Sequence, residues 1–99
     1  MVRPRKCKGV LAEPDVTYFK PRGVPLRSLD EVELTVEEFE AVRLNDLEKM
    51  KQVEVAEKMG ISQPTLHRLL QSAHEKIADA LTKGKAIRIN GGDYFIKKR

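Results

Sequence analysis

Hydrogen-bonding side chains alternate with apolar ones from Ser62 to Arg68, a spacing suited to one exposed face of a helix. Leu66 and Leu69 would face a core, so Gln63, His67 and Arg68 project outward. Such a set can read base edges. Glutamine bonds adenine bidentately, and arginine bonds guanine bidentately or holds a phosphate. Thr65 suits a thymine methyl or a phosphate, or simply the support of the first helical turn. Base contact is therefore expected from Ser62, Gln63, Pro64, Thr65, His67 and Arg68. Lys51 and Gln52, near the start of the preceding helix, are placed for phosphates. Arg3, Arg5 and Lys6 form a basic arm that either follows the nucleic-acid backbone or minor groove, or stays solvated.

Other chemistry finds no frame. His67 and His74 stand two helical turns apart and Cys7 is remote, which is no zinc-ligand spacing. Ser62 has no nucleophile-elbow context. Asn90-Gly91-Gly92 lacks the Lys-Ser/Thr of a phosphate loop. Cys7, among Arg5, Lys6 and Lys8, is either a small apolar residue or a reactive thiol. No catalytic residue, metal or cofactor is expected, and the chain reads as a binding protein rather than an enzyme.

A helix, a glycine turn and a second helix would position the candidate face. The helical part starts at Thr35, whose Thr-x-x-Glu pattern to Glu38 is a capping box. Glu37, Glu38 and Glu40 complement the positive end of that helix. Val36, Phe39, Leu47 and Met50 repeat at helical spacing, with Arg43 inside the stripe. Arg43 either snorkels along apolar surface or pairs with Glu54 or Glu57 on the next helix. A turn at Lys49-Met50-Lys51 leads to a helix over Gln52–Met59 with Val53, Ala56 and Met59 inward. Gly60 stops it, Ser62 caps the next helix, and Pro64 sits in its first turn. Leu66, Leu69, Leu70, Ala73, Ile77, Ala80 and Leu81 then form an apolar stripe. That predicts a helix of about 18–20 residues ending before Gly84.

The two ends read as extended chain. Four of the five prolines fall in residues 1–28, where Val10-Leu11 and Val16–Phe19 are strand candidates. Asn90-Gly91 between Lys85–Ile89 and Asp93–Ile96 predicts a β-hairpin, or else one strand and a basic tail. The expected fold is mainly α: a three-helix helix-turn-helix domain over 35–82, a basic arm with short strands over 1–34, and a hairpin or strand over 83–99.

Charge has a pattern along the chain. The net +4 divides into +5 for residues 1–28, −6 for 29–59 and +5 for 60–99. The pI near 9.3 favours a polyanionic partner, with the acidic middle turned away from it. Ninety-nine residues suit one domain. No apolar run is long enough to span a membrane. A charged start and a single cysteine point to the cytoplasm.

Residues Leu34 to Leu81 resemble the helix-turn-helix of region 4 of primary-type sigma factors. The matching features are Leu34-Thr35, Val55-Ala56-Glu57, Gly60-Ile61-Ser62, Thr65-Leu66 and the long third helix with Arg68, Ala73 and Leu81. The whole chain is similar to uncharacterised protein family 0251, a prokaryotic family predicted to bind DNA. Its marks are Arg3-Pro4-Arg5-Lys6-Cys7, Phe19-Lys20-Pro21-Arg22-Gly23, Gly60 to Pro64, and Gly84-Lys85-Ala86 with Gly91-Gly92. Glu40-Ala41, Arg43-Leu44 and Asp46-Leu47 continue the match. The expected function is sequence-specific binding of double-stranded DNA in transcription regulation. The alternative is an adaptor that contacts RNA polymerase, or a small RNA-binding protein. A homodimer is expected, because one recognition helix buries little surface. Its seam would be the terminal strands or the helix end near Ile77 and Leu81.

Overall fold

Thr35 opens the helical part through a complete capping box. Its hydroxyl accepts from the Glu38 N–H at 3.2 Å, and Glu38 Oε1 accepts from the Thr35 N–H at 2.8 Å. Helix α1 (Val36–Val42) follows and passes into a π-helical turn, Arg43–Leu47. Lys49, at φ 59°, reverses the chain into helix α2 (Gln52–Met59). Gly60 ends α2 in the left-handed region, at φ 68°. Ser62 then caps helix α3 (Gln63–Lys83) by accepting from the Thr65 N–H. The computed structural model describes residues 8–92 and 94–96.

Among the described residues five short strands complete the fold: β1 (Lys8–Val10), β2 (Tyr18–Phe19), β3 (Glu31–Leu34), β4 (Ala86–Ile89) and β5 (Tyr94–Ile96). Strand β4 is central, antiparallel to β2 and parallel to β3. Strands β1 and β5 form a separate parallel pair. The architecture is thus mainly α with short strands, as expected.

Two apolar clusters hold it together. One joins Ala41 and Leu44 to Val55, Ala56 and Met59 of α2 and Leu66 and Leu70 of α3. The other joins Val10, Leu34 and Ile89 of the strands to Val36 and Ala73 of the helices. Val42 packs against both.

Several expectations fail for identifiable reasons. The hairpin does not form: β4 and β5 belong to different sheets. The Gly91 carbonyl instead accepts from the Val36 N–H at 3.1 Å, docking the turn on the start of α1. Leu47 is 72% exposed. The π-turn takes an extra residue, which rotates later side chains off the 3.6-residue stripe, while Leu44 is buried on the face of Glu40 and Ala41. Val53 is 50% exposed, because it lies two residues from the buried Val55 and so cannot share its face. Leu81 is 75% exposed at the far edge of the α3 stripe. Arg43 does not reach Glu54 or Glu57. It forks onto Glu40 one turn back, at 2.8 and 3.1 Å, and reaches Glu48 at 3.6 Å. Strand β3 was not anticipated, although Glu31-Val32-Glu33-Leu34 alternates with the period of two that marks a strand. Helix α3 runs 21 residues, slightly beyond the expected length.

Candidate nucleic-acid interface

Leu66, Leu70 and Ala73 are buried and anchor α3 against the rest of the molecule. The opposite side of its first turns is open. Ser62, Gln63, Pro64, His67 and Arg68 are all exposed, and Thr65 is half-buried. The Thr65 hydroxyl accepts from the Ser62 hydroxyl at 2.8 Å and from Arg68 Nη2 at 3.5 Å. It therefore braces the first turn and steadies the Arg68 guanidinium. Among the described residues no carboxylate pairs with His67 or Arg68. Gln71 follows His67 by one turn on the same exposed side; its i+4 spacing was the available signal.

Lys51 and Gln52 are exposed at the start of α2, with Lys51 in the extended cap position. Arg3, Arg5 and Lys6 lie outside the described residues, as does Cys7.

The acidic middle is not simply turned away; the carboxylates of α1 are consumed inside the fold. Glu38 and Glu40 are 3% and 2% exposed. Glu38 accepts from Lys76 Nζ at 2.7 Å and Ser72 Oγ at 2.6 Å, both on α3. Burial pushes the Glu38 carboxyl up, but Lys76, Ser72 and the Thr35 N–H together outweigh it, so its pKa falls below the ordinary value. Glu40 accepts from the Leu11 N–H at 3.0 Å as well as from Arg43. Glu37 pairs with Lys8 at 3.3 Å through Oε2, while its buried Oε1 has no hydrogen-bond partner. Burial likewise raises Asp46, but His74 at 2.6 Å and Asn45 at 2.6 Å outweigh it and hold the carboxyl below its ordinary value.

These pairings fix the orientation of α3. The Glu38 contacts at Ser72 and Lys76 grip its middle, Asp46 meets the same stretch at His74 between them, and Asp79 ties its end to Lys85 at 2.8 Å. The first turns carry no such ion pair among the described residues. No group of three or more His, Cys, Asp or Glu among the described residues could hold a metal ion. No helix among them is long and apolar enough to cross a membrane.

A family model described as "Protein of unknown function DUF134" matches residues 1–97. A UPF0251 protein of Thermoanaerobacter pseudethanolicus is 60% identical over 96 residues, covering 97% of this chain and 81% of the relative. One from Caldanaerobacter subterraneus is 58% identical over 96 residues, covering 97% and 81%. One from Dehalococcoides mccartyi is 50% identical over 99 residues, covering the whole chain and 85% of the relative. No solved structure matches.

Proposed function

The chain belongs to the DUF134 family, whose curated relatives carry the name UPF0251, and we propose that it is a sequence-specific binder of double-stranded DNA acting in transcription regulation. The reading rests on one observation above all: the first turns of α3 are anchored from behind by Leu66 and Leu70 yet present Gln63, His67 and Arg68 uncovered and without acidic partners among the described residues. In this reading α2, the Gly60 turn and α3 form a helix-turn-helix like that of sigma region 4, and α3 enters the major groove. Gln63 and Arg68 read base edges, and His67 and Thr65 contact bases or phosphates beside them. Ser62 and Pro64 hold the entry turn close to the bases. Lys51 and Gln52 fix register on the phosphates, aided by the positive end of α2. Arg3, Arg5 and Lys6 would supply a basic arm. Binding requires no cofactor and no turnover, and the cytoplasm is its setting.

The test is selection of the full chain against a random duplex pool, followed by titration of the winning site. A defined motif is expected. The Arg68→Ala variant should weaken binding by about 1–3 kcal/mol and relax preference at one base position. A uniform loss with a lower salt slope would make Arg68 a phosphate contact. An unenriched pool, with binding to RNA polymerase or RNA instead, would replace this reading with the adaptor or RNA-binding one.

A further inference from the structure

A cleft of about 290 Å³ opens between the start of β1, the start of α1 and the first turns of α3. Lys8, Glu37 and Glu38 line it from β1 and α1, and Thr65, Arg68 and Ser72 line it from α3. The α3 residues stand three or four apart, so they share a side of the helix. It is not the side on which Leu66 and Leu70 meet α2. The cleft adjoins the exposed reading turn, and Thr65 and Arg68 belong to both.

The carboxylates in the cleft are already occupied. Glu38 Oε1 accepts from Lys76 and the Thr35 N–H, and its Oε2 accepts from Ser72. Glu37 Oε2 faces Lys8 at 3.3 Å, while Oε1 is shut off from solvent with Gly92 against it. The donors are not exhausted. The Lys8 ammonium carries three N–H groups, and Glu37 is its one carboxylate partner among the described residues. Thr65 Oγ1 accepts from Ser62 and Arg68, which leaves its own proton without an acceptor among the described residues. Lys8 and Lys76 offset Glu37 and Glu38, so the Arg68 charge is in surplus.

We propose that this cleft seats one backbone phosphate of the duplex, with Lys8 as a phosphate contact beside the reading turn. A phosphate oxygen supplies the acceptor that Lys8, Thr65 and Arg68 lack, and hydrogen bonds between ionised partners are the strong ones. Because the cleft shares Thr65 and Arg68 with the reading turn, the phosphate belongs to the strand being read. The inference rests on the DNA reading above. It adds an anchor on β1 to that of Lys51 and Gln52 on α2, and such anchors fix register without carrying sequence information.

Duplex titration of the full chain over a salt series tests the seat. Lys8→Gln should weaken binding to every sequence alike and lower the slope of log affinity against log salt by about one. Glu37→Gln should bind at least as tightly as the wild type, because it frees Lys8 for the phosphate. If Lys8 served only to neutralise Glu37, the two variants would lose affinity together, and that result overturns the proposal. Thermal midpoints reveal any variant that binds less because less of it is folded. The double variant Lys8→Gln with Glu37→Gln leaves no orphan charge and should keep the lower slope. A single neutral methylphosphonate moved along the site should find one position that weakens the wild type but not Lys8→Gln; no such position overturns the seat. An unchanged slope for Lys8→Gln on a selected motif overturns the seat alone. A lowered slope with no selected motif overturns the sequence-specific reading alone. No duplex binding at all overturns both. Inorganic phosphate that then shifts the Lys8 and Thr65 resonances would make the cleft a seat for free phosphate.

Discussion

Glu38 does two jobs that its sequence position announces only in half. The spacing from Thr35 marks it as the partner in a capping box, and the box is complete. Nothing in the sequence says that the same carboxylate also takes Lys76 and Ser72, 38 and 34 residues away. Capping is local, whereas those partners depend on where α3 crosses α1. A pH dependence follows. The folded Glu38 pKa lies below its ordinary value, so its stabilisation is present above the ordinary carboxylate range and is lost as pH falls through the folded value. Glu38→Gln should cost about 1.5–3 kcal/mol at neutral pH, read from urea midpoints. In acid the wild-type and variant midpoints should converge; a gap that persists at low pH would contradict the assignment. The outward direction of Gln63, His67 and Arg68 was legible for the opposite reason: a helix with a regular apolar stripe determines its own exposed face. Arg43 was not legible, because Glu40, Glu48, Glu54 and Glu57 were all within plausible reach and only the backbone path chooses among them.

At the scale of elements, the punctuation was readable and the pairing was not. Gly60, Ser62 and Pro64 delimit α2 and α3 where expected, because caps and stops act over a few residues. Asn90-Gly91-Gly92 carries a genuine turn signal, yet the turn serves a different neighbour. Gly92, at φ 97°, lies so close to α1 that a Cβ there would overlap Glu37 Oε1 and press on Thr35 Cβ. Gly92→Ala should therefore destabilise by about 1–3 kcal/mol in chemical denaturation. Hydrogen exchange at the Val36 amide, bonded to Gly91, should quicken at the same time. An unchanged Val36 amide would mean that the turn does not hold the start of α1. The π-turn is the other hidden element. It breaks the helical period after Val42, and it swings Leu47 out to the rim of an apolar groove lined by Phe39, Val42 and Ile77.

At the scale of the molecule, the helices and the end strands share one interior. Val10 and Ile89 are buried against Val36 and Ala73, so the second apolar cluster belongs to no single stretch of sequence. A fragment covering residues 35–84 would expose that cluster and lose the central strand β4. It should show no sharp cooperative transition by calorimetry, while the full chain should. A sharp transition in the fragment would make the helices self-sufficient. The charge partition has the same collective character. Pairs such as Lys8–Glu37, Lys76–Glu38 and Arg88–Glu31 spend basic residues from the two flanking thirds on the acidic middle.

The sequence by itself determined the helices, their caps and the face that α3 shows to solvent. Each of these depends on residues within a few positions of one another, where periodicity and capping chemistry act. The tertiary structure decided the rest: which strands pair, which carboxylates are buried, and where an apolar groove stays open. Those outcomes depend on contacts between residues tens of positions apart. They compete on packing and desolvation across the whole fold, and no local pattern encodes the result.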